Sequence, residues 1–215
     1  MKGDIILVGE EHKNAADQII ERLFDEIAAT DRRYTMTVAG ESGSGKSETG
    51  QALADALGER GVNAAVLQQD DYYVLPPKSN DAARRANFCW VGTTEVRLDL
   101  LDQHLQEAQE GAASIVKPLI IYGDNLISEE ILSLKGVEAV VAEGVYTSLC
   151  EHVDRRVFIA RNRLETLEHR MTRAREEFDP FIEDVLKKEH EIISQHRARA
   201  DVVITRDYDV EFVTV

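Results

Sequence analysis

The segment Gly40-Glu41-Ser42-Gly43-Ser44-Gly45-Lys46-Ser47 constrains this chain more than any other. It fits GxxxxGK[ST] at every fixed position. The apolar, β-branched run Tyr34 to Ala39 precedes it, and a helix-forming stretch, Lys46 to Glu59, follows. That context makes the segment a phosphate-binding loop rather than an ordinary glycine-rich turn. Its glycines let backbone amides turn inward around phosphate oxygens. The following helix adds the partial positive charge of its N-terminus. Gly40 through Ser47, with Glu48 beside them, form the predicted nucleotide-binding set. Lys46 is placed to reach the β- and γ-phosphates, and the Ser47 hydroxyl to bind Mg²⁺.

The rest of the chain alternates strands and helices. Strands are predicted at Ile5 to Val8, Tyr34 to Ala39, Val62 to Leu67, Val137 to Ala142, Val157 to Ala160 and Val202 to Ile204. Helices are predicted from about Asn14 to Ala29, then Lys46 to Glu59, Val96 to Glu110, Arg163 to Glu177 and Phe181 to Arg199. Pro76, Pro77, Ser79 and Asn80 mark a loop. The pattern implies an α/β fold of three layers, a mostly parallel sheet with helices on both faces. Ligands then bind beyond the carboxyl ends of the strands. The 215 residues fit one domain, with residues 1–33 as an added strand and helix.

The chain is 43% hydrophobic and carries a net charge of −15, which argues against nucleic acid as a partner. The apolar run at Ile5 to Val8 is too short for a signal peptide, and no stretch reaches the length of a membrane span. A cytoplasmic protein is expected, with Cys89 and Cys150 as free thiols. Self-association into a homo-oligomer is left open.

Two further elements carry chemistry. Glu143 ends the apolar strand Val137 to Ala142, where a carboxylate can meet Mg²⁺ directly or through water. Gln68-Gln69-Asp70-Asp71-Tyr72-Tyr73 follows the strand after the glycine loop's helix. A carboxylate there can orient or deprotonate an attacking hydroxyl, and the tyrosines can wall a small pocket. In an extended segment Asp70 and Asp71 point to opposite faces, so one is expected in the cleft and the other on the outer surface.

In order along the chain, Gly40 to Ser47, Asp70-Asp71-Tyr72-Tyr73, Asn87-Phe88 and Glu143-Gly144 resemble the uridine kinase and phosphoribulokinase family. Arg170, Arg173 and the stretch Asp184 to Ile204 are similar to that family's lid and C-terminal part. The resemblance spans roughly Tyr34 to Ile204. It implies phosphoryl transfer from ATP, with Mg²⁺, to a hydroxyl of a small-molecule acceptor. It assigns Asp70 as base, Tyr73 to the acceptor pocket, and Arg170 and Arg173 to a lid of about residues 161–180 that closes over ATP. Where uridine kinases carry Asp-His-Pro after Asn-Phe, this chain has Cys89-Trp90-Val91. After Pro118, too, the family's tyrosine and aspartate are replaced by Leu119-Ile120-Ile121. The nucleotide half of the pattern is intact and the acceptor half is rewritten. Trp90 is expected in the core. Two other classes are weighed: a nucleotide-dependent switch that hydrolyses ATP or GTP slowly, and a nucleoside-monophosphate kinase. The first needs no acceptor carboxylate such as Asp70. The second needs an arginine cluster, for which Arg84 and Arg85 are the candidates.

Overall fold

A computed structural model describes residues 6–162 and 179–213. Helix α1 (Glu10–Ala29) leads into β1 (Tyr34–Gly40), α2 (Lys46–Glu59) and β2 (Ala64–Gln68). Then come α3 (Pro77–Ala86), α4 (Leu98–Gln109), β3 (Ser114–Ile121), β4 (Leu126–Ser133) and β5 (Ala139–Glu143). The chain continues through β6 (Arg155–Ile159), α5 (Pro180–Ile193), β7 (Val202–Ile204) and β8 (Val210–Phe212). Six strands form the main sheet in the order β2-β5-β1-β6-β7-β8. All neighbours pair in parallel except β7 and β8.

The alternation of side chains along each strand makes the three layers. Met36, Val38, Val141, Val157 and Ile159 face α1 and α2, packing against Ile19, Ile20, Leu53 and Leu57. Their chain neighbours Ala39, Val140, Ala142 and Phe158 face the other way, toward Leu101 and Leu105 of α4 and Ile193 of α5.

Several elements depart from the sequence reading. Residues 6–9 form no strand, and Leu7 is exposed. Helix α1 begins at Glu10, four residues earlier than expected, and its Ala15, Ala16, Ile19, Ile20, Leu23 and Ile27 are buried. The span read as a loop from Pro76 is helix α3. Pro77 occupies its first turn, where a missing N–H costs nothing. The final helix changes to a 3₁₀ stretch from Ser194 to Arg199. The β3–β4 hairpin was not foreseen. Pro118 argues against a central strand, but β3 belongs to a two-stranded sheet and has an edge free of pairing to tolerate it. Asn125, at positive φ in the hairpin turn, uses its side-chain oxygen to accept from the Lys78 amide at the start of α3 (2.8 Å). The predicted helix Arg163 to Glu177 lies outside the described residues.

Candidate active site

The glycine loop runs from the end of β1 into α2, as expected. Gly43 and Gly45 have φ of 78° and 95°, values that glycine reaches without strain. A Cβ on Gly45 would also collide with the Tyr208 hydroxyl and lie 2.8 Å from His12 Nε2. Helix α1 and the turn between β7 and β8 therefore back the loop. His12 packs edge-on against Tyr208 at 4.9 Å, and the Tyr208 hydroxyl donates to the Ser44 carbonyl at 2.9 Å. Tyr208 itself sits at φ 67°, in the turn between β7 and β8 that aims its ring inward. Helix α1, which sequence gave no role, supports the loop through His12.

Lys46 folds over the loop, its ammonium donating to the Glu41 carbonyl at 2.9 Å. Ser47 donates to Glu143 Oε1 at 3.1 Å. Glu143 is buried at 3% exposure, and Gly50 on α2 lets it approach, since a Cβ there would lie 3.2 Å from that of Glu143. Burial first, then the nearby Asp70, pushes the Glu143 carboxyl up to about 7, while Lys46 and Ser47 pull it down. The sheet explains the meeting. Gln68, at the end of β2, is in register with Glu143, and Asp70 lies two residues further on. Asp70, Lys46, Ser47 and Glu143 thus gather at the carboxyl edge of the sheet.

The Asp70–Asp71 expectation needs correction. These residues lie in a 3₁₀ turn, Gln69–Tyr72, so strand alternation does not apply. Asp70 is half-buried beside the cleft. Asp71 does not face the outer surface. It is 2% exposed, paired with Lys117 Nζ at 2.7 Å, and accepts from the Ile120 amide at 3.0 Å. Hairpin strand β3 thereby pins the turn that carries Asp70.

Tyr73 follows this turn, half-buried, with the Arg84 guanidinium 6.0 Å above its ring. Arg84 pairs with buried Glu95 and lies 3.5 Å from Glu189 Oε1. Glu95 also accepts from Asn80 Nδ2 (2.6 Å) and the Gly92 amide (2.7 Å). Trp90 is half-buried rather than core, its indole N–H held by Asn80 Oδ1 at 2.8 Å. Arg85 turns to Asp81 and Asp179 instead.

Helix α5 joins the two halves. Glu189 accepts from Ser42 Oγ at 3.0 Å, and His190 Nδ1 lies 2.6 Å from Glu41 Oε1. Sequence reasoning missed Glu95, Glu189, His190 and Tyr146. Glu189 and His190 are remote in sequence from Ser42, Glu41 and Arg84, and none of the four belongs to a local motif. Arg170 and Arg173 lie outside the described residues.

A glycine loop between the first parallel strand and its helix, with a carboxylate ending the adjacent strand, defines a P-loop nucleotide-binding protein. The narrower grouping comes from the whole chain: residues 35–204 match the model of the Phosphoribulokinase / Uridine kinase family, and the chain belongs to that family. It is 28% identical over 194 residues to a bifunctional alpha-galactosidase/sucrose kinase of Mediterraneibacter gnavus. That match covers 84% of this chain but only 21% of the relative, so the chain spans about a fifth of that protein's length. A D-glycerate 3-kinase from Cryptococcus neoformans var. grubii shares the fold at TM-score 0.64 and 13% identity, over 95% of this chain and all of that one. So does a protein described as a possible uridine kinase from Bacillus stearothermophilus, at TM-score 0.63 and 19% identity, over 90% and 98% of the two chains.

Proposed function

We propose that this protein transfers the γ-phosphoryl group of ATP to a hydroxyl of a small, hydroxyl-bearing metabolite. The observation that carries the reading is the meeting of Asp70 with Lys46, Ser47 and Glu143 at one sheet edge. A switch that only hydrolyses nucleotide has no use for a carboxylate held there by a dedicated turn. The names of the relatives, a sucrose kinase and a D-glycerate kinase among them, support a hydroxyl acceptor.

In this reading the loop amides and Lys46 hold the β- and γ-phosphates. Asp70 accepts the proton of the acceptor hydroxyl as its oxygen bonds to the γ-phosphorus. The bond from that phosphorus to the bridging oxygen breaks, leaving ADP and the phosphorylated acceptor. Lys46 spreads charge from the transferring group. Ser47 and Glu143 are hard oxygen donors that fit Mg²⁺, and a bound cation would hold the buried Glu143 carboxylate in its ionised form against the burial that raises it. Ser47 and Glu143 would supply the protein's share of the ligands, and phosphate oxygens and water would supply the others. When bound, the ion would neutralise charge on the β- and γ-phosphates. Arg170 and Arg173 remain the proposed lid arginines.

A nucleoside-monophosphate kinase fits less well, because Arg84 and Arg85 are both already paired with carboxylates. No described helix is long and apolar enough to cross a membrane. We place the protein in the cytoplasm. The test is ATP consumption across nucleosides, sugars, sugar phosphates, glycerate and pantothenate. Turnover should appear with an acceptor and vanish in Lys46→Ala, with circular dichroism unchanged. Near-normal turnover in folded Lys46→Ala refutes the assignment.

A further inference from the structure

Two buried polar groups beside the turn that carries Asp70 make no hydrogen bond. The Gln69 side chain is buried, and its oxygen accepts from the Tyr146 amide at 2.7 Å. That bond fixes which end of the Gln69 amide is oxygen, because only an acceptor can meet an N–H, and it leaves Nε2 without a role there. Neither Gln69 Nε2 nor the Tyr146 hydroxyl has a hydrogen-bond partner among the described residues. The other atoms in this state belong to Thr37 and Arg156 in strands, Thr49 on α2 and Ser44 on the glycine loop. Gln69 and Tyr146 stand apart from these because they are bonded to each other and Gln69 directly precedes Asp70.

Local geometry brings both residues to the acceptor side. Tyr146 follows Glu143 closely in the chain, just beyond the carboxyl end of β5. Gln69 fits against that segment because Gly144 has no side chain: a Cβ on Gly144 would collide with Gln69 Cβ. Tyr146 is buried, and its electrostatic neighbours are Glu189, Tyr73, Glu95 and Arg84, the groups gathered around the predicted acceptor pocket. Interiors rarely leave such groups unpaired, since nothing then offsets their loss of water. An oxygen-bearing ligand can pair with both, because Nε2 donates and a phenolic hydroxyl donates or accepts.

Taking phosphoryl transfer as given, we propose that Gln69 and Tyr146 bind oxygen on the acceptor other than the hydroxyl that receives the phosphoryl group. The acceptor is then at least a diol or an equivalent compound, and removing its second oxygen makes it a poor substrate. Gln69 Nε2 donates to that oxygen, and the Tyr146 hydroxyl donates to it or accepts from it. Asp70, next to Gln69 in the chain, takes the proton of the reacting hydroxyl. Gln69 and Tyr146 thus determine specificity, and Gln69 also positions Tyr146 through the backbone amide. Because both atoms are closed to water, seating the acceptor displaces the half-buried Tyr73 ring that neighbours Tyr146.

The experiment compares mono- and disaccharides, alditols and nucleosides with their monodeoxy analogues at saturating ATP. For a compound that is turned over, removing the contacted oxygen should lower kcat/KM by about tenfold or more, because buried partners are then left unpaired. In Tyr146→Phe the parent compound should lose about threefold to tenfold in kcat/KM, the scale of one neutral hydrogen bond, and parent and deoxy analogue should become nearly equal. The melting temperature of Tyr146→Phe should hold or rise and its ATP affinity should stay unchanged, since the hydroxyl gives up no described bond within the protein. Gln69→Met also breaks the bond to the Tyr146 amide, so only the ratio of parent to deoxy analogue is read there, and it too should shrink. A ratio unchanged in either variant, or a melting temperature of Tyr146→Phe lowered by more than about 2 °C, overturns the inference and leaves the kinase reading standing. Failure of every compound to stimulate turnover, in protein that still binds ATP, removes the kinase reading and the inference with it.

Discussion

Asp70 and Asp71 are chain neighbours to which we assign opposite tasks, and substituting each by asparagine should separate chemistry from stability. Asp71 is buried with Lys117, their side chains 3% and 7% exposed. Removing one charge of a buried pair costs about 3–5 kcal/mol, because the other is left uncompensated. Two features favour the low end. Asparagine can still accept from the Ile120 amide, and Glu130 stays 3.2 Å from the Lys117 ammonium. A loss of about 3 kcal/mol corresponds to a fall in melting temperature of about 6–12 °C for a chain of this size. Well below that temperature, kcat of Asp71→Asn should fall less than about tenfold, since the turn carrying Asp70 is loosened but its carboxylate remains. Asp70→Asn should do the reverse. Its kcat should drop by about 10²–10⁴-fold, the range for loss of a general base. Its melting temperature should stay within about 2 °C, and its ATP affinity should barely change. Differential scanning calorimetry, steady-state kinetics and ATP titration calorimetry read the three quantities. If folded Asp71→Asn loses as much kcat as Asp70→Asn, or if Asp70→Asn is the unstable variant, the division of labour is wrong.

Glu143→Gln should raise the apparent KM for Mg²⁺ at least about tenfold while leaving the free protein no less stable at pH 8, because burial already disfavours the ionised carboxylate; unchanged metal dependence refutes its role. Uridine and cytidine should be poor acceptors, since Cys89 is exposed and Trp90 is tied to Asn80 where uridine kinases resemble one another in Asp-His-Pro; efficient uridine turnover contradicts this. The contribution of His104 to stability should decline as pH falls below about 6.5, while Glu143, its carboxyl raised to about 7, works the other way over the same range. Burial lowers the affinity of His104 for a proton, so the unfolded chain takes up protons first, and the stabilisation present above the unfolded value is lost as pH drops through the folded one. His104→Gln should remove that contribution and flatten the slope in thermal melts relative to the wild type, and His196, similarly lowered by burial, acts in the same direction. An unaltered slope would show that His104 stays protonated in the fold.

What was legible in the sequence was periodic or locally spelled out. Helix α2 falls on Lys46–Glu59 as predicted, because the glycine loop fixes its start. Val202–Ile204 is a short apolar run bounded by charge, and it is the strand it spells. The placement of Asp71 was not legible. Whether six residues after a strand stay extended or curl into a 3₁₀ turn is decided by what they pack against, here Lys117 and Ile120 on a hairpin nearly fifty residues away. The same applies to Glu95 and Glu189, which meet at Arg84 of α3 only when the turn Thr93–Glu95 and helix α5 pack beside it. Composition patterns report burial and period. They carry no record of which distant carboxylate closes a network.

The backing of the glycine loop by His12 and Tyr208 has a consequence for the order of events in the cell. The hydroxyl that braces Ser44 arrives on the chain 164 residues after it. A ribosome-bound chain that has completed β1 and α2 already spells the whole nucleotide motif, yet lacks the ring behind it. Nucleotide affinity should therefore come late, once the turn after β7 has been made and docked. ATP would then favour chains that have docked this turn over shorter ones, by mass action. A protein truncated just before Tyr208 would keep every motif residue of the loop and forfeit that protection.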